Sequence, residues 1–244
     1  MVESLPVPLQ IVLDALPTLL LGAVITVQLT AFSVIFGSIG GTLLGMARLS
    51  TFKPIQIASR VYIDFFRGTP LLVQIFLIYF GIPALANSLG TTFTFNRFVA
   101  AILALSLNSA AYLAEIVRGG IQSIEAGQRE ASESLGLSRL QAMRYVIFPQ
   151  AFRRMIPPLG NEFITLLKDT SLVAIIGYEE LFRRGQLIVA QNYRAFEIYI
   201  AVALIYLVLN TLGARAFVSL EYWTDPVQKS KRQKSAVLVD SPNL

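Results

Sequence analysis

Polar and ionisable side chains recur at helical spacing inside the most apolar parts of this chain. Asn108, Tyr112 and Glu115 fall at i, i+4 and i+7, which is one face of a helix. Arg67 and Gln74, seven apart, share a second face; Asn161, Thr165 and Lys168 form a third, with Glu162 and Asp169 beside it. Charges at membrane depth are costly and face a cavity or a partner. The three faces offer both signs of charge, so their chemistry is non-covalent capture of a zwitterion. Glu115 or Asp169 can meet a cationic group, and Arg67 or Lys168 a carboxylate. Each has a structural alternative. Arg67 can snorkel to a span end, Glu115 can pair with Arg118 on its own helix, and Lys168 and Asp169 can pair with neighbouring spans. Cysteine and histidine are both absent, which removes disulfides, thiolate chemistry and the commonest metal ligand, so no metal site is expected.

The elements that position these groups are membrane spans. Hydrophobic residues make up 55% of the chain and charged residues 14%, with mean hydropathy +0.62; soluble domains carry roughly 25% charge. Five apolar stretches, at about 17–47, 61–82, 98–117, 155–178 and 196–219, approach or exceed the ~20 residues that cross hydrocarbon. The fold expected is all-α integral membrane with five transmembrane helices. The first stretch is long enough to tilt or kink at Gly37, Gly40, Gly41 and Gly45, although close helix packing is the favoured role for that glycine run. Pro70 can open the second span and free a carbonyl. The fourth stretch is the least apolar.

Arg48, Lys53 and Arg60 lie between spans one and two. Arg118, Arg129, Arg139, Arg144, Arg153 and Arg154 lie between spans three and four. With Lys229, Lys231, Arg232 and Lys234 at the C-terminus, they place both connections and the tail in the cytoplasm by the positive-inside rule, and the N-terminus outside. Arg183, Arg184 and Arg194 run against that rule and are partly balanced by Glu179, Glu180 and Glu197. Met1 to Asp14 has no basic n-region and carries two acids, so a retained anchor is expected rather than a cleaved signal. The chain divides into an external segment 1–16, a membrane domain 17–220 and a disordered basic cytoplasmic tail 221–244.

Between Glu130 and Pro149 the sequence EASESLGLSRLQAMRYVIFP is too polar to stay in hydrocarbon. It predicts two short helices meeting at Gly136, the second capped by Ser138, with Leu140, Met143 and Val146 on one face and a boundary at Pro149. Such a knob, at about 125–149, can sit in a cleft of a partner. Leu135, Leu140 and Met143 would supply buried contacts, and Glu130 with Arg139 or Arg144 would fix orientation. The alternative, an amphipathic helix on the membrane surface, is disfavoured because Glu130 and Glu133 sit poorly beside anionic lipid. No lysine follows glycine, so no phosphate loop is present, and any ATP hydrolysis belongs to a partner.

Glu130-Ala131-Ser132, three residues, Gly136, and then Val146 to Pro149 resemble the signature loop of membrane subunits in bacterial ATP-binding-cassette importers. FRGTPLLVQ (Phe66 to Gln74), NSAAYLAEIVRGG (Asn108 to Gly120) and NEFITLLKDTSL (Asn161 to Leu172) are similar to the polar amino-acid branch of these permeases, so the resemblance covers roughly residues 15–220. Ser132 stands where the second alanine is usual, and Phe148 where leucine precedes the proline. The resemblance implies a type I permease subunit without enzymatic activity, importing polar or basic amino acids across the bacterial inner membrane. It also implies a coupling helix built on Glu130 to Pro149. The expected partners are a second permease subunit, an ATPase dimer holding ATP and Mg, an extracytoplasmic amino-acid-binding protein touching loops such as 83–96 and 179–194, membrane lipid and the solute, with no nucleic acid. Five spans are too thin to surround a pathway alone, which independently favours a second copy or a close relative across a two-fold axis. A channel or proton-coupled carrier would leave the knob unexplained, and a membrane enzyme lacks catalytic groups.

Overall fold

The computed structural model describes residues 7–224, and every regular element among them is helical. Helix α1 spans Val7–Arg48 without interruption. At 1.5 Å per residue it is about 60 Å long, twice a hydrocarbon core. It starts inside the segment expected to be external, of which residues 1–6 lie outside the described residues. Helix α2 (Lys53–Gly68) follows, then α3 (Leu71–Ser88), which contains a π-turn at Leu77–Gly81. Helix α4 (Arg97–Gln122) leads to the short α5 (Ala126–Ser134) and α6 (Arg139–Ala142). A π-turn at Met143–Ile147 joins α6 to α7 (Phe148–Asp169), and a 3₁₀ turn at Thr170–Ile176 ends that arm. Helix α8 (Leu181–Asn192) and the long α9 (Ala195–Thr224) complete the order.

Among the described residues, α1, α3, α4 and α9 are long and apolar enough to cross a membrane. The fourth expected span corresponds to α7 plus the 3₁₀ turn, whose polar stripe and Pro157–Pro158 pair lower its hydropathy. The second expected span, 61–82, is not one helix. Thr69 precedes proline and is pushed to extended geometry, φ −119° and ψ 146°, so α2 stops and α3 restarts after Pro70. Residues 221–224, placed in the tail by sequence, continue α9; 225–244 lie outside the described residues.

The bundle centres on α1 against α4. Apart from Leu19 and Leu29, the buried face of α1 is a stripe of small or hydroxylated residues that includes Gly22, Thr26, Thr30, Ser33, Gly37, Gly41 and Gly45. Facing it, α4 contributes Ala100, Ala101, Ala104, Ala111 and Ala114. A Cβ at Gly41 would lie 2.5 Å from the Cβ of Leu113, and one at Gly45 would lie 2.9 Å from the Ala114 carbonyl oxygen. The glycine run therefore serves close packing rather than kinking, because lipid-solvated helices gain most from backbones that approach closely. A second apolar cluster joins α1, α8 and α9 through Leu19, Leu181 and Ile198. A third, at the other end, seats α7 on α4 through Val117, Ile121 and Met155.

Candidate functional site

The α2–α3 break frees backbone carbonyls in the interior, and one side chain collects them. Gln74 is buried, and its Nε2 donates to the Phe66 carbonyl (2.8 Å), the Thr69 carbonyl (3.0 Å) and Thr69 Oγ1 (2.9 Å). Its Oε1 accepts from Asn108 Nδ2 on α4 at 2.9 Å. Proline thus frees carbonyls, as the sequence predicts, and Gln74 satisfies them. Gln74 and Asn108, read as polar faces, are engaged in fixing the break. Tyr62 reinforces it by donating to the Leu107 carbonyl at 2.8 Å.

Below this lock, Glu115 is surrounded by arginine. Arg118 contacts it at 2.7 Å, Arg48 at 3.6 Å and Arg67 at 4.0 Å, so helices α1, α2 and α4 share one carboxylate. The pairing with Arg118 expected from sequence is present, and the second oxygen, Oε1, faces Arg48 at 3.6 Å without a hydrogen bond. Arg67 is the most exposed of the three arginines, at 44%, and its guanidinium lies over the Tyr112 ring 5.3 Å from the centroid. That leaves a partly exposed guanidinium over an aromatic ring, with donors to spare.

Helix α7 brings an acidic group within reach of that guanidinium. Glu162 accepts from Ser109 Oγ on α4 at 3.1 Å, and Arg67 and Asp169 lie within its electrostatic reach. Asn161, Thr165 and Lys168 form an exposed stripe on the same helix. No ion pair joins Lys168 or Asp169 to a neighbouring span among the described residues, so the packing alternative for these two has no contact behind it. A helix of an apolar bundle that turns Asn, Thr and Lys outward at depth faces water or a partner, not acyl chains. Arginine on one wall and Glu162 on the other give the site both signs of charge. No group of three or more potential metal ligands gathers among the described residues.

At one end of the bundle the knob forms from α5 and α6. Gly136 adopts φ 76°, a left-handed conformation that costs glycine nothing, and the Leu137 N–H reaches back to the Ser132 carbonyl at 3.1 Å to close the turn. Ser138 and Gln141 form a reciprocal capping box that starts α6. Pro149 marks a change from π-turn to α-helix rather than a break. Glu130 and Ala131 are exposed, whereas Ser132 is buried and donates to the Gln128 carbonyl, so only a small residue fits there. Leu135 and Leu140 protrude, 81% and 77% exposed, while Met143 turns inward against the third cluster. The apolar contact surface is thus narrower than the sequence suggests. Arg139 and Arg129 border a cavity of about 650 Å³ between the knob and the α1–α2 turn. No ion pair joins Glu130 to Arg139 or Arg144 among the described residues.

Sequence reasoning missed Glu180, assigned there to surface charge balance. It is fully buried and caps α8 by accepting from the Phe182 and Arg183 N–H groups at 2.9 and 2.7 Å. Tyr206 of α9 donates to it at 2.8 Å, and Thr26 of α1 at 3.5 Å. Thr26 Oγ1 also accepts the Leu181 N–H at 3.2 Å. One carboxylate therefore ties three elements together. The available signal was the Thr26, Thr30, Ser33 stripe on the first span, which needed a polar partner.

Residues 34–223 match the family model described as "Binding-protein-dependent transport system inner membrane component". The glutamine transport system permease protein GlnP of Escherichia coli strain K12 is 45% identical over 196 residues, covering 80% of this chain and 88% of that protein. The arginine transport system permease protein ArtQ of Bacillus subtilis strain 168 is 42% identical over 194 residues, covering 80% and 86%. A solved structure described as a crystal structure of an amino acid ABC transporter with histidines superposes with TM-score 0.79 at 40% identity, covering 86% of this chain and 95% of that one. With a family match over residues 34–223, relatives above 40% identity, a broken second span and a glycine-hinged knob all in place, this chain belongs to the inner membrane components of binding-protein-dependent transport systems.

Proposed function

We propose that the chain forms half of the translocation pathway of an importer for polar or basic amino acids, driven by ATP hydrolysed on partner subunits. The observation that carries this reading is the pairing of an exposed guanidinium, Arg67 over Tyr112, with the Glu162 carboxyl on the facing helix. An α-amino acid presents the complementary pair. Its carboxylate meets Arg67, its ammonium or basic side chain meets Glu162 with Asp169 nearby, and Asn161, Thr165 and Lys168 line the approach. The glutamine and arginine named for the relatives are of this class. Glu115 acts on the solute only through Arg67, as a positioning residue.

The outward face of α7 needs a wall, which a second permease subunit supplies. Leu135, Leu140 and Glu130 seat the knob in a cleft of an ATPase dimer holding ATP and Mg, and Gly136 lets it transmit rigid-body movement. The basic loops then face the cytoplasm, with the N-terminus outside, and an extracytoplasmic amino-acid-binding protein delivers the solute to the opposite end.

The test is ATPase activity of a complex purified through this chain and reconstituted in lipid, with and without binding protein and a panel of amino acids. Stimulation by a polar or basic subset supports the importer. Absence of any co-purifying ATPase overturns it in favour of a channel or carrier. Gly136→Pro and Glu130→Arg are expected to insert normally yet lose ATPase coupling, and normal ATP-driven uptake in both removes the knob from the mechanism.

A further inference from the structure

The cavity of about 650 Å³ between the knob and the end of α1 falls within the roughly 300–1,000 Å³ of small-molecule sites. Four elements supply its polar rim: the α1–α2 turn with Ser50 and Thr51, the end of α4 with Gln122, helix α5 with Arg129 and Glu133, and α6 with Arg139. Its apolar lining is Leu49, Ile121, Met143 and Ile147, which belong to the cluster that seats α7 on α4. The protruding Leu135 and Leu140 take no part in the lining, so seating them in a partner's cleft does not fill the cavity.

Donors outnumber acceptors on the rim. The Arg129 and Arg139 side chains make no hydrogen bond or ion pair among the described residues, and a guanidinium offers donors only. Gln122 Oε1 accepts from Arg118, which leaves its amide N–H groups uncommitted. Ser50 Oγ accepts the Phe52 N–H at 3.1 Å, which leaves its hydroxyl proton. Glu133 is the one acid in the lining; it follows Arg129 by four residues, the less favourable order for a helical ion pair, and the two do not pair. Donors beside apolar contacts select a ligand with an anionic, acceptor-rich head and an apolar tail. Helix α1 ends at Arg48 and α4 at Gln122, and the cavity draws its lining from those ends. It therefore lies where two membrane-crossing helices leave the hydrocarbon, at the level of lipid headgroups.

We propose that this cavity binds the phosphate of an anionic phospholipid through Arg129, Arg139 and the Gln122 amide, with the glycerol backbone and upper acyl chain against Leu49, Met143 and Ile147 and a headgroup hydroxyl donating to Glu133. The lipid joins the α1–α2 turn to both knob helices and so holds the knob against the bundle. Nothing in this depends on what the chain transports. Free inorganic phosphate offers the same anionic chemistry without the apolar part, and the test separates the two.

The complex purified through this chain is washed free of phospholipid in a neutral maltoside detergent and titrated with dihexanoyl phosphatidylglycerol, dihexanoyl phosphatidylcholine or inorganic phosphate. Hydrogen exchange is followed over residues 49–52 and 129–142. Phosphatidylglycerol is expected to slow exchange in both segments, by about tenfold at about ten times its Kd, and the other two are expected not to at the same concentration. Equal protection by phosphatidylcholine overturns the charged site, equal protection by inorganic phosphate overturns the amphiphile, and protection by none overturns the cavity as a site. Arg129→Gln with Arg139→Gln should weaken phosphatidylglycerol at least about tenfold, since each guanidinium supplies charge-assisted hydrogen bonds. Arg153→Gln removes an exposed arginine outside the lining and should leave the affinity unchanged. Equal weakening by the two changes reduces binding to general surface charge and refutes the site. Thr51→Trp keeps both arginines and fills the cavity from an exposed position, so protection should be lost. Undiminished affinity in that variant puts the lipid elsewhere and overturns the proposal. No readout requires transport or ATP hydrolysis, so these outcomes stand apart from failure of the importer reading.

Discussion

Gln74→Leu tests whether a single amide holds the broken second span. Leucine keeps nearly the same volume but withdraws the donor from the Phe66 and Thr69 carbonyls and the acceptor from Asn108. Asn108 retains only its 3.4 Å contact with the Phe66 carbonyl. The Thr69 carbonyl is left unpaired and the Phe66 carbonyl keeps only that long contact, which at about 1–3 kcal/mol per unsatisfied group costs at most roughly 6 kcal/mol together. Hydrogen bonds between membrane helices average nearer ~0.6 kcal/mol, which puts the four lost contacts at the low end, about 2 kcal/mol. For a chain of this length each kcal/mol moves the midpoint by about 2–4 °C, so a fall of roughly 4–24 °C is expected. The assay is thermal stability of the purified complex in nanodiscs, with Val73→Ala, an adjacent and exposed position, as reference. Gln74→Glu should be worse than Gln74→Leu, because its oxygens would face the same two carbonyls. A midpoint for Gln74→Leu equal to that of Val73→Ala would show that the carbonyls find other partners and that the lock does not exist.

Gly41→Ala places a methyl 2.5 Å from the Leu113 Cβ and should cost about 1–3 kcal/mol by overpacking, while Gly119→Ala, with nothing within 4 Å, should be neutral. Equal melting of the two would remove close packing as the reason for the glycine run. Glu180→Gln substitutes an amide that cannot accept from two backbone N–H groups and two hydroxyls at once, a loss of about 1–3 kcal/mol. Hydrogen exchange over residues 181–185 should quicken about tenfold or more, given 1.4 kcal/mol per decade; unchanged protection means that α8 does not depend on this cap. Leu135→Ser with Leu140→Ser alters side chains already exposed, so the permease should melt normally. Its affinity for the ATPase should nonetheless fall about ten- to a hundredfold, from the ~1.5–3 kcal/mol that burying one such side chain supplies. Undiminished co-purification would take these leucines out of the contact.

What the sequence determined by itself was local or periodic. Hydropathy over about 20 residues marks α1, α3, α4 and α9, because crossing hydrocarbon constrains every residue in the window. Gly136, Ser138 and the acidic residues before them specify the knob, since a positive φ and a capping box are decided within a few residues. The polar faces on the third and fourth spans were legible for the same reason, as helical arithmetic needs no tertiary information. Only the folded chain decided which of those polar groups were already committed to each other. Gln74 and Asn108 are bound to the helix break between α2 and α3, and Glu115 to three arginines on three helices. Glu180 changed from surface charge to buried keystone because Thr26 and Tyr206, distant in sequence, converge on it. Periodicity reports which face of a helix a residue occupies. Whether that face meets a solute, a lipid or another side chain depends on partners supplied by residues far away in the chain, and that is settled only when the helices pack.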